Sequence, residues 1–482
     1  MQGDFRADLL CGLRCGSECD LDGHSLNELR FRVDWGVALA SISLRGFRNL
    51  EPTSVDFAEG SNYVFGPNGA GKTNLLEAIH YLAIGRSFRR CPDADMLGFS
   101  KDVLAVSGTD ESGDTAEIRF DGREKRILRN NIPVEKLSEY FGWLPVVVLL
   151  LEDIELVKGA PGMRRSFVDM AMSKAEGGTK PKAKSQEPKV KSEERSYIAL
   201  TAEYRRAVSQ YNRLLERSGA GREPVADQLS AWEEELVLSG VPVYEARLAK
   251  VGGLLENAAK HYERLAGHGA VFSYRTSIAP EGTRAVIGGR GQSPALKAPQ
   301  SGTVPTISVM SPAELGAAFR QKLAATRERA RYLGHAVVGP HRDDIRITRG
   351  DRELRKFGSV GEQRLAGIAL RLAEADIILS AGRQRPVFLL DEVASELDEE
   401  RSRMALEMVA ERGQMVYAAA RRMARPQVKG QSAEGKMQNG GADAAPAVRD
   451  SAPALNPWTP EPQNPLLGKE FHVEAGKVSQ VS

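Results

Sequence analysis

Apolar and polar positions begin to alternate near Val37, and the alternation through Leu44 predicts a β-strand. Residues 62–65 predict a second, buried strand, which leads directly into a glycine-rich stretch. Beyond that stretch, residues 74–84 carry apolar side chains at the spacing of a helix. The pattern therefore places a glycine-rich loop between a strand and a helix.

The middle of the chain, from residue 152 to about 334, is mostly helical in pattern. Long helical stretches are predicted over residues 197–215 and 228–265, although Pro242 is expected to interrupt the second. Residues 173–194 are rich in Lys, Glu, Pro and Ser, and residues 279–306 are rich in Gly, Pro and Ser. Both compositions are typical of flexible, solvated loops.

Strand-like and helical patterns return over residues 336–348 and continue to about residue 423. Beyond Pro426 the chain is rich in Gly, Ala, Pro and Gln and loses its periodicity. Residues 426–482 are therefore predicted to form a disordered tail.

The chain has 482 residues and a net charge of +2, which suggests two or three domains and excludes a polycation. Any nucleic-acid binding must come from a local basic surface. No apolar run is long enough to cross a bilayer, and residues 1–36 lack the pattern of a secretory signal. Four cysteines are too few for a disulfide framework, so a cytoplasmic location without membrane attachment is expected.

Three of the cysteines, Cys11, Cys15 and Cys19, lie at even spacing near His24. A zinc site is one interpretation, although the spacing is not one of the usual CxxC forms. The other interpretation, which the composition favours, is an unstructured N-terminal extension over residues 1–36.

The glycine-rich stretch fits the phosphate-binding pattern G-x-x-x-x-G-K-[ST] in full. Glycines let the backbone wrap closely around an anion, and the N–H groups and the dipole of the following helix then face the phosphates. We expect Lys72 to reach the β- and γ-phosphates of ATP and the Thr73 hydroxyl to ligate Mg²⁺. The predicted nucleotide-binding loop comprises Gly66, Pro67, Asn68, Gly69, Ala70, Gly71, Lys72 and Thr73, followed by Asn74.

An apolar run over residues 387–390 ends in two carboxylates, Asp391 and Glu392. This is the pattern of a central strand that is buried on both faces of a parallel sheet. Its C-terminal end would face the phosphate-binding loop, since ligands of open α/β sheets bind there. Asp391 then suits the Mg²⁺ shell and Glu392 the activation of an attacking water, as in a Walker B motif.

Ser359 precedes a strongly amphipathic helix, and Glu362 follows it at the spacing of a capping box. One interpretation is simply a well-capped helix. The other is an ABC-type signature, in which the Ser359 hydroxyl, the Gly361 N–H and the helix N-terminus meet the γ-phosphate held by a second subunit. The order P-loop, signature and Walker B, with residues 395–398 as a D-loop, favours the signature.

The P-loop lysine and the signature serine lie much farther apart than in an ABC transporter subunit. One half of an ATPase domain is therefore predicted near each end of the chain, with a helical insertion between them. This arrangement excludes a transporter subunit.

Several motifs in register, from about residue 38 to residue 422, resemble the RecF family of bacterial recombination and replication-repair ATPases, which belong to the SMC-like ABC group. The motifs that carry the resemblance are FRN at Phe47, GPNGAGKTNLL at Gly66, GRSFR at Gly85, EDIELVKG at Glu152, GPHRDD at Gly339, FGSVGEQR at Phe357 and the segment from Leu390 to Asp398.

The resemblance implies an α/β fold with a split ABC-type P-loop ATPase head and an inserted, mostly helical second lobe. The head would comprise residues 37–151 and 335–425, and the second lobe residues 152–334. Arg48 and Asn49 would approach the nucleotide from the turn after the first strand. Gly361 and Gln363 would belong with the signature serine to the nucleotide-binding set.

The resemblance also implies ATP-dependent homodimerisation, DNA binding and slow ATP hydrolysis, with Lys72, Asp391 and Glu392 in the catalytic roles. It implies that the protein acts together with RecR, and with RecO in the same pathway, to help load RecA at single-strand gaps.

Two basic clusters are candidates for contacts with DNA phosphates. The alternative for each cluster is a solvated or ion-paired surface. The sequence offers no aromatic stacking platform for single strands, so duplex or junction DNA held by its backbone is expected. The candidate residues are Arg86, Arg89 and Arg90 after the P-loop helix, and Arg164 and Arg165 in the second lobe.

The chain departs from the family pattern at two places that bear on turnover. Residues 149–151 are leucines where the family offers Phe-Ser-Pro, and residues 418–420 are alanines where it usually offers threonine. The first region should carry the Q-loop role and the second a γ-phosphate sensor. Slow or impaired hydrolysis therefore stays an open alternative, and the ATPase activity itself is left undecided.

Two other kinds of repair ATPase are alternatives. An SMC-type protein needs long heptads between the two halves, and the middle region carries no sustained a/d pattern. An ABC-headed nuclease needs a further acidic cluster, and none follows the Walker B region.

Overall fold

The computed structural model describes residues 39–135, 140–176, 196–219, 226–278, 310–382, 385–393, 397–420 and 468–481. The predicted N-terminal extension with its cysteines, most of the two predicted loops, and residues 395 and 396 of the predicted D-loop lie outside these ranges. Within them, no helix has the length and apolar character to cross a membrane.

The strands of the described residues are numbered in chain order. They are β1 Leu39–Arg45, β2 Thr53–Asp56, β3 Ser61–Phe65, β4 Leu104–Asp110, β5 Thr115–Phe120, β6 Lys125–Arg129, β7 Ile132–Pro133, β8 Val146–Leu149, β9 Val271–Arg275, β10 Asp344–Arg349, β11 Arg352–Glu353, β12 Val387–Asp391, β13 Gln414–Ala419, β14 Gly468–Glu474 and β15 Lys477–Val481.

The α-helices of the described residues are numbered in the same way. They are α1 Lys72–Ile84, α2 Glu155–Lys158, α3 Pro161–Glu176, α4 Tyr197–Gly219, α5 Ala226–Ala266, α6 Pro312–Leu333, α7 Leu354–Phe357, α8 Val360–Ser380 and α9 Glu399–Ala410.

A six-stranded sheet in the order β15-β14-β3-β13-β12-β8 carries the predicted nucleotide motifs. Its strands are parallel except β15, which pairs antiparallel with β14. The predicted Walker B strand β12 lies between β13 and β8 and is buried on both faces, as its apolar run predicts. The P-loop strand β3 lies one strand away, so their carboxyl ends meet at one edge of the sheet.

A second six-stranded sheet, in the order β2-β1-β4-β5-β6-β7, is antiparallel throughout. Helix α1 contacts β4 and β5 of this sheet and β12 and β13 of the parallel sheet. Leu75, Ile79 and Leu82 of α1 are fully buried in the core that this packing forms. The P-loop helix is therefore held from both sides, which fixes where its first turn points.

The two distant halves of the chain are joined by buried polar contacts. The Gln414 side chain, at the start of β13, accepts a hydrogen bond from the Leu39 N–H at 2.9 Å and donates to the Leu39 carbonyl at 3.0 Å. It also donates to the Ala58 carbonyl at 2.7 Å. Because Gln414 is buried, these bonds tie the C-terminal half to the first strand in one register.

The middle of the chain is helical, as predicted. Helix α5 is 41 residues long and packs along α8, α4 and α6. The predicted interruption at Pro242 is wrong, because Pro242 lies inside α5. Its neighbours Val243 and Tyr244 are buried in the core, so tertiary packing outweighs the lost backbone hydrogen bond.

The prediction of a disordered tail over residues 426–482 is wrong for its last part. β14 and β15 form a hairpin there, and β14 pairs parallel with the P-loop strand β3. Phe471 and Val473 are buried under the sheet. The hairpin is too short to stand out in composition, and its stability comes from pairing with a strand far away in sequence.

Candidate nucleotide site

The phosphate-binding loop has the backbone that its glycines predict. Gly66, Gly69 and Gly71 all have positive φ values, of 155°, 80° and 119°, which side chains with a Cβ rarely adopt. A Cβ at Gly71 would also lie 2.8 Å from Leu50 Cδ2. Pro67, Asn68 and Gly69 are exposed, so the crest of the loop is open to a ligand.

Helix α1 begins at Lys72 without a side-chain cap. The first N–H groups of any α-helix have no partner within the helix, and here no N-cap side chain accepts from them, so they point toward the loop as an anion site requires. Lys72 Nζ donates to the carbonyls of Gly66 at 2.9 Å and Pro67 at 3.1 Å. The lysine ammonium is thus held against the loop by two main-chain carbonyls.

Asp391 and Thr73 face each other across the sheet edge. The Thr73 hydroxyl lies close enough to the Asp391 carboxylate to lower the pKa of that carboxyl. Burial raises the pKa of Asp391 above its ordinary value, and the negative charges of Glu392 and Glu152 raise it further, against Thr73 and Lys72, which lower it. A hydroxyl and a carboxylate in contact are oxygen donors of the kind that Mg²⁺ takes, so the two residues fit the predicted metal site.

Glu392 follows the end of β12 in a left-handed conformation, with φ 52°. Its N–H donates to the Ala418 carbonyl at 3.0 Å, which fixes the turn. Its Oε1 lies 3.9 Å from Lys72 Nζ, so the predicted base and the P-loop lysine share one site. A non-glycine residue in this region costs free energy, and such strain is typical of functional positions.

Glu152 was not predicted as a site residue, and the structure places it near Asp391. Strand β8 pairs parallel with β12, with Leu149 opposite Leu390, so the residues after β8 emerge beside Asp391. The charge of Glu152 raises the Asp391 pKa, as described above. The sequence signal was an acidic pair directly after an apolar run, as in the Walker B segment.

The structure places the two residues that were predicted to approach the nucleotide, Arg48 and Asn49, in different surroundings. The Arg48 guanidinium hydrogen-bonds the buried carboxylate of Glu77 and donates to the Asp95 carbonyl at 3.2 Å, so it holds the P-loop helix rather than an open ligand site. Asn49 is exposed beside the loop, where its Nδ2 donates to the Gly69 carbonyl at 3.2 Å.

The signature segment has the predicted capping box. Ser359 Oγ accepts from the Glu362 N–H at 3.2 Å, and the Ser359 N–H donates to the Glu362 carboxylate at 2.8 Å. Gly361 is exposed and its Cβ position is open. Gln363 is buried and donates to the carbonyl of Leu354, the first residue of α7, at 2.9 Å, so the expectation that it binds nucleotide is replaced by a structural role there.

The first basic cluster lies on the surface after α1. Arg86, Arg89 and Arg90 are exposed. Arg89 is also engaged within the protein, since its Nη1 donates to Asn74 Oδ1 at 3.0 Å and lies 3.4 Å from the Glu77 carboxylate. Arg86 and Arg90 have no carboxylate within ion-pairing distance among the described residues, so they offer their charge to solvent.

The two arginines of the second basic cluster differ in burial. Arg164 is buried, pairs with Asp344 through two nitrogens at 2.6 and 3.0 Å, and donates to the Gly159 carbonyl at 2.9 Å. The expectation of a DNA contact is therefore wrong for Arg164, because its guanidinium has no free face. Arg165 is only half-buried and donates to the Asp343 carbonyl at 3.1 Å.

The C-terminal hairpin completes the wall of the P-loop, which the sequence did not predict. Its turn places Gly476 against the loop, where the Gly476 N–H donates to the Ala70 carbonyl and the Gly476 carbonyl accepts from the Glu51 N–H, both at 2.9 Å. On the other side of the hairpin, a Cβ at Gly66 would overlap the Val473 carbonyl. The phosphate-binding loop is thus packed directly against the end of the chain.

The sequence is similar to one family model and to curated proteins of known name. A family model described as an AAA domain matches residues 41–220. The DNA replication and repair protein RecF of Geobacillus kaustophilus is 32% identical over 384 residues, which cover 78% of this chain and 91% of that protein. The protein of the same name from Moorella thermoacetica is 32% identical over 378 residues, which cover 78% and 87%.

Solved structures show the same architecture. One described as the recombination mediator protein RecF-ATP in the RecFOR pathway aligns with a TM-score of 0.68 over 93% of this chain and 98% of that chain, at 22% sequence identity. This likeness confirms the predicted fold class, an α/β ATPase head split by a mostly helical lobe.

Proposed function

Because the chain belongs to the RecF family of DNA replication and repair proteins, we propose that it binds ATP with Mg²⁺, closes into a homodimer on that ATP, and in this state holds DNA. The observation that carries the proposal is the surface around Ser359. Phe357 and Val360 flank this serine and are 69% and 55% exposed. Large apolar side chains at both sides of a helix N-terminus are typical of a surface that a partner covers.

Each subunit supplies half of the site. Lys72, the N–H groups of the P-loop and the start of α1 bind the phosphates, and Thr73 and Asp391 hold Mg²⁺. When bound, Mg²⁺ neutralises charge on the β- and γ-phosphate oxygens. Ser359 of the second subunit then caps the γ-phosphate, which makes an isologous two-fold dimer. Glu392 orients the attacking water and accepts its proton.

The side chains of Arg86, Arg90 and Arg165, which keep a solvent-facing charge, contact the phosphates of the DNA backbone. Arg89 lies at the edge of this cluster. Duplex or single/double-strand junction DNA fits such contacts. In the cell the dimer would work with RecR, and with RecO, to direct RecA to single-strand gaps in recombinational repair and replication restart, in the cytoplasm.

Light scattering tests the dimer. We expect ATP with Mg²⁺ to double the mass of the chain, and Ser359→Arg to prevent this by placing a bulky cation in the interface. The matched control is Ser311→Arg, because Ser311 caps α6 through the same type of capping box with Glu314. A wild-type chain that stays monomeric at saturating ATP would contradict the proposal.

A binder with impaired hydrolysis is the second candidate, and one observation favours it. At the end of β13, where a γ-phosphate sensor is expected, Ala418 and Ala419 carry no polar side chain. An ATPase assay with and without DNA separates the two candidates. Turnover that Glu392→Gln abolishes supports the hydrolysing protein, and wild-type turnover no faster than that of the variant supports the binder.

A further inference from the structure

A basic cleft on the helical lobe is not used by the nucleotide site or by the basic clusters considered so far. It has a volume of about 290 Å³ and lies between the last turns of α6 and the segment before β10. Its basic lining residues are Lys322, Arg329, His335 and Arg342, and no acidic side chain lines it among the described residues.

The other arginines of α6 show why this lining is unusual. Arg320 pairs with Glu234 at 2.6 Å, and Arg327 pairs with Glu233 at 2.5 Å. By contrast, Lys322 and Arg329 have no carboxylate within ion-pairing distance in the described part of the chain. The helix therefore neutralises its arginines on the other faces and leaves the charges of the cleft face uncompensated.

The far wall of the cleft adds a fixed charge. Arg342 donates to the Ala336 carbonyl at 2.9 and 2.7 Å and lies 2.8 Å from His335 Nδ1, so its guanidinium is held at the rim. Arg165 donates to the carbonyl of the next residue, Asp343, which brings a further cation to the same place. Like charges held this close repel one another unless an anion lies between them.

Contacts of Arg90 and Arg165 lead from the basic surface after the P-loop helix toward Arg342. Arg90 lies after the P-loop helix, and its Nη1 is 2.9 Å from the Met163 sulfur in the first turn of α3. Arg165 lies in the same turn. A path of cations therefore runs from Arg90 through Arg165 and Arg342 into the cleft.

An exposed aromatic residue is the neighbour in sequence of a residue that lines the cleft. Tyr332, in the last turn of α6, is 90% exposed, and its neighbour Leu333, which lines the cleft, is 43% exposed. A tyrosine that faces solvent beside unpaired cations is the combination by which proteins hold single strands, with phosphates on the cations and a base on the ring. An acidic protein surface would use the cations but not the ring face.

We propose that the cleft formed by Lys322, Arg329, His335 and Arg342 binds the sugar-phosphate backbone of single-stranded nucleic acid, with one base stacked on Tyr332. The inference rests on the proposed function, since it supplies the single-stranded arm of a junction whose duplex lies on the surface of Arg86 and Arg90.

The test uses the full chain with ATP and Mg²⁺ and three fluorescent probes: an oligo-dT strand, a duplex of the same length and a junction of the two. In the Lys322→Gln/Arg329→Gln variant we expect affinity for the single strand to fall at least about tenfold, with a salt slope smaller by about 1.4. Tyr332→Ala should weaken single-strand binding about tenfold and Tyr332→Phe little. Duplex affinity should change much less in each variant.

Arg320→Gln is the matched control, because it removes one charge from another face of the same helix. An unchanged thermal unfolding midpoint verifies that each variant is folded, as expected for solvent-facing side chains. If wild type binds the probes and both cleft variants bind them equally well, the inference is overturned while the proposed function stands, and the cleft serves a protein. Equal losses on duplex and single strand overturn the single-strand assignment. A wild-type chain that binds no DNA overturns both.

Discussion

The N–H of Gly476 donates to the carbonyl of Ala70 at 2.9 Å, so the turn of the C-terminal hairpin rests on the phosphate-binding loop. These residues lie near opposite ends of the chain. The contact comes about because β14 pairs with β3 in parallel register, which leads both strands to the same edge of the sheet. The conformation of the loop therefore depends on the last strands of the protein.

Gly476→Ala should weaken ATP binding. Gly476 has φ 85°, and a Cβ there would overlap the Asn49 carbonyl, so the turn would move away from the loop. We expect the Kd for ATP, measured by calorimetry, to rise about tenfold, which corresponds to a loss of about 1.4 kcal/mol of binding free energy. Gly122→Ala is the control, because Gly122 also has φ 85° but has open space at its Cβ position. Equal effects of the two substitutions would contradict the packing argument.

Asp391→Asn should stabilise the protein and reduce the gain in ATP affinity that Mg²⁺ provides. Burial and the neighbouring carboxylates raise the Asp391 pKa, which means that the ionised form is unfavourable in the empty site at neutral pH. The unfolding midpoint in EDTA should therefore rise on substitution, whereas the gain in ATP affinity on adding Mg²⁺ should shrink. Thermal unfolding and nucleotide titration with and without Mg²⁺ check the two effects. A lower midpoint in EDTA would argue against this electrostatic account.

Arg247→Ala should be strongly destabilising. Arg247 is buried and donates to the Asp169 carboxylate at 2.7 Å, the Pro340 carbonyl at 2.7 Å and the Tyr197 hydroxyl at 2.8 Å. Its loss leaves the buried Asp343 without the cation that lies 3.6 Å away, and leaves Asp169 with only the exposed Arg205, which costs about 3–5 kcal/mol. Urea unfolding measures the loss. Arg320→Ala, which removes an exposed ion pair, should cost at most about 1 kcal/mol.

His80 should make the fold sensitive to mild acid. Burial, with the charge of Lys174, lowers its pKa from 6.5 to about 3, and its neutral ring hydrogen-bonds the Arg86 carbonyl at 2.9 Å. Because the unfolded chain binds this proton and the native chain does not, stability is full above about pH 6.5 and falls as the pH is lowered toward 3. The loss attributable to His80 is about 2 kcal/mol between pH 7 and pH 5.

A second histidine should add to this effect, since burial lowers the pKa of His341 to about 4. Denaturant unfolding at pH 7, 6 and 5 measures the slope. His80→Gln should flatten the pH profile, because Gln can still donate to the Arg86 carbonyl. A profile as steep in His80→Gln as in wild type would rule out the assignment.

The sequence by itself determined the local parts of this protein. The loop between Gly66 and Thr73, the buried strand that ends at Asp391, and the capped helix after Ser359 are each encoded by residues that are neighbours in the chain. Glycine conformation, the period of apolar positions and the spacing of a capping box are local properties, so they can be read before any tertiary contact is known.

Only the tertiary structure shows which of two chemically identical side chains is buried and which remains exposed. Arg164 is buried against Asp344, whereas the next residue, Arg165, keeps a free face, and the sequence treats the two arginines alike. The same holds for Pro242 inside α5 and for the hairpin that closes on Ala70. These outcomes depend on burial and pairing between residues far apart in the chain, and no local pattern specifies which distant surface a residue will meet.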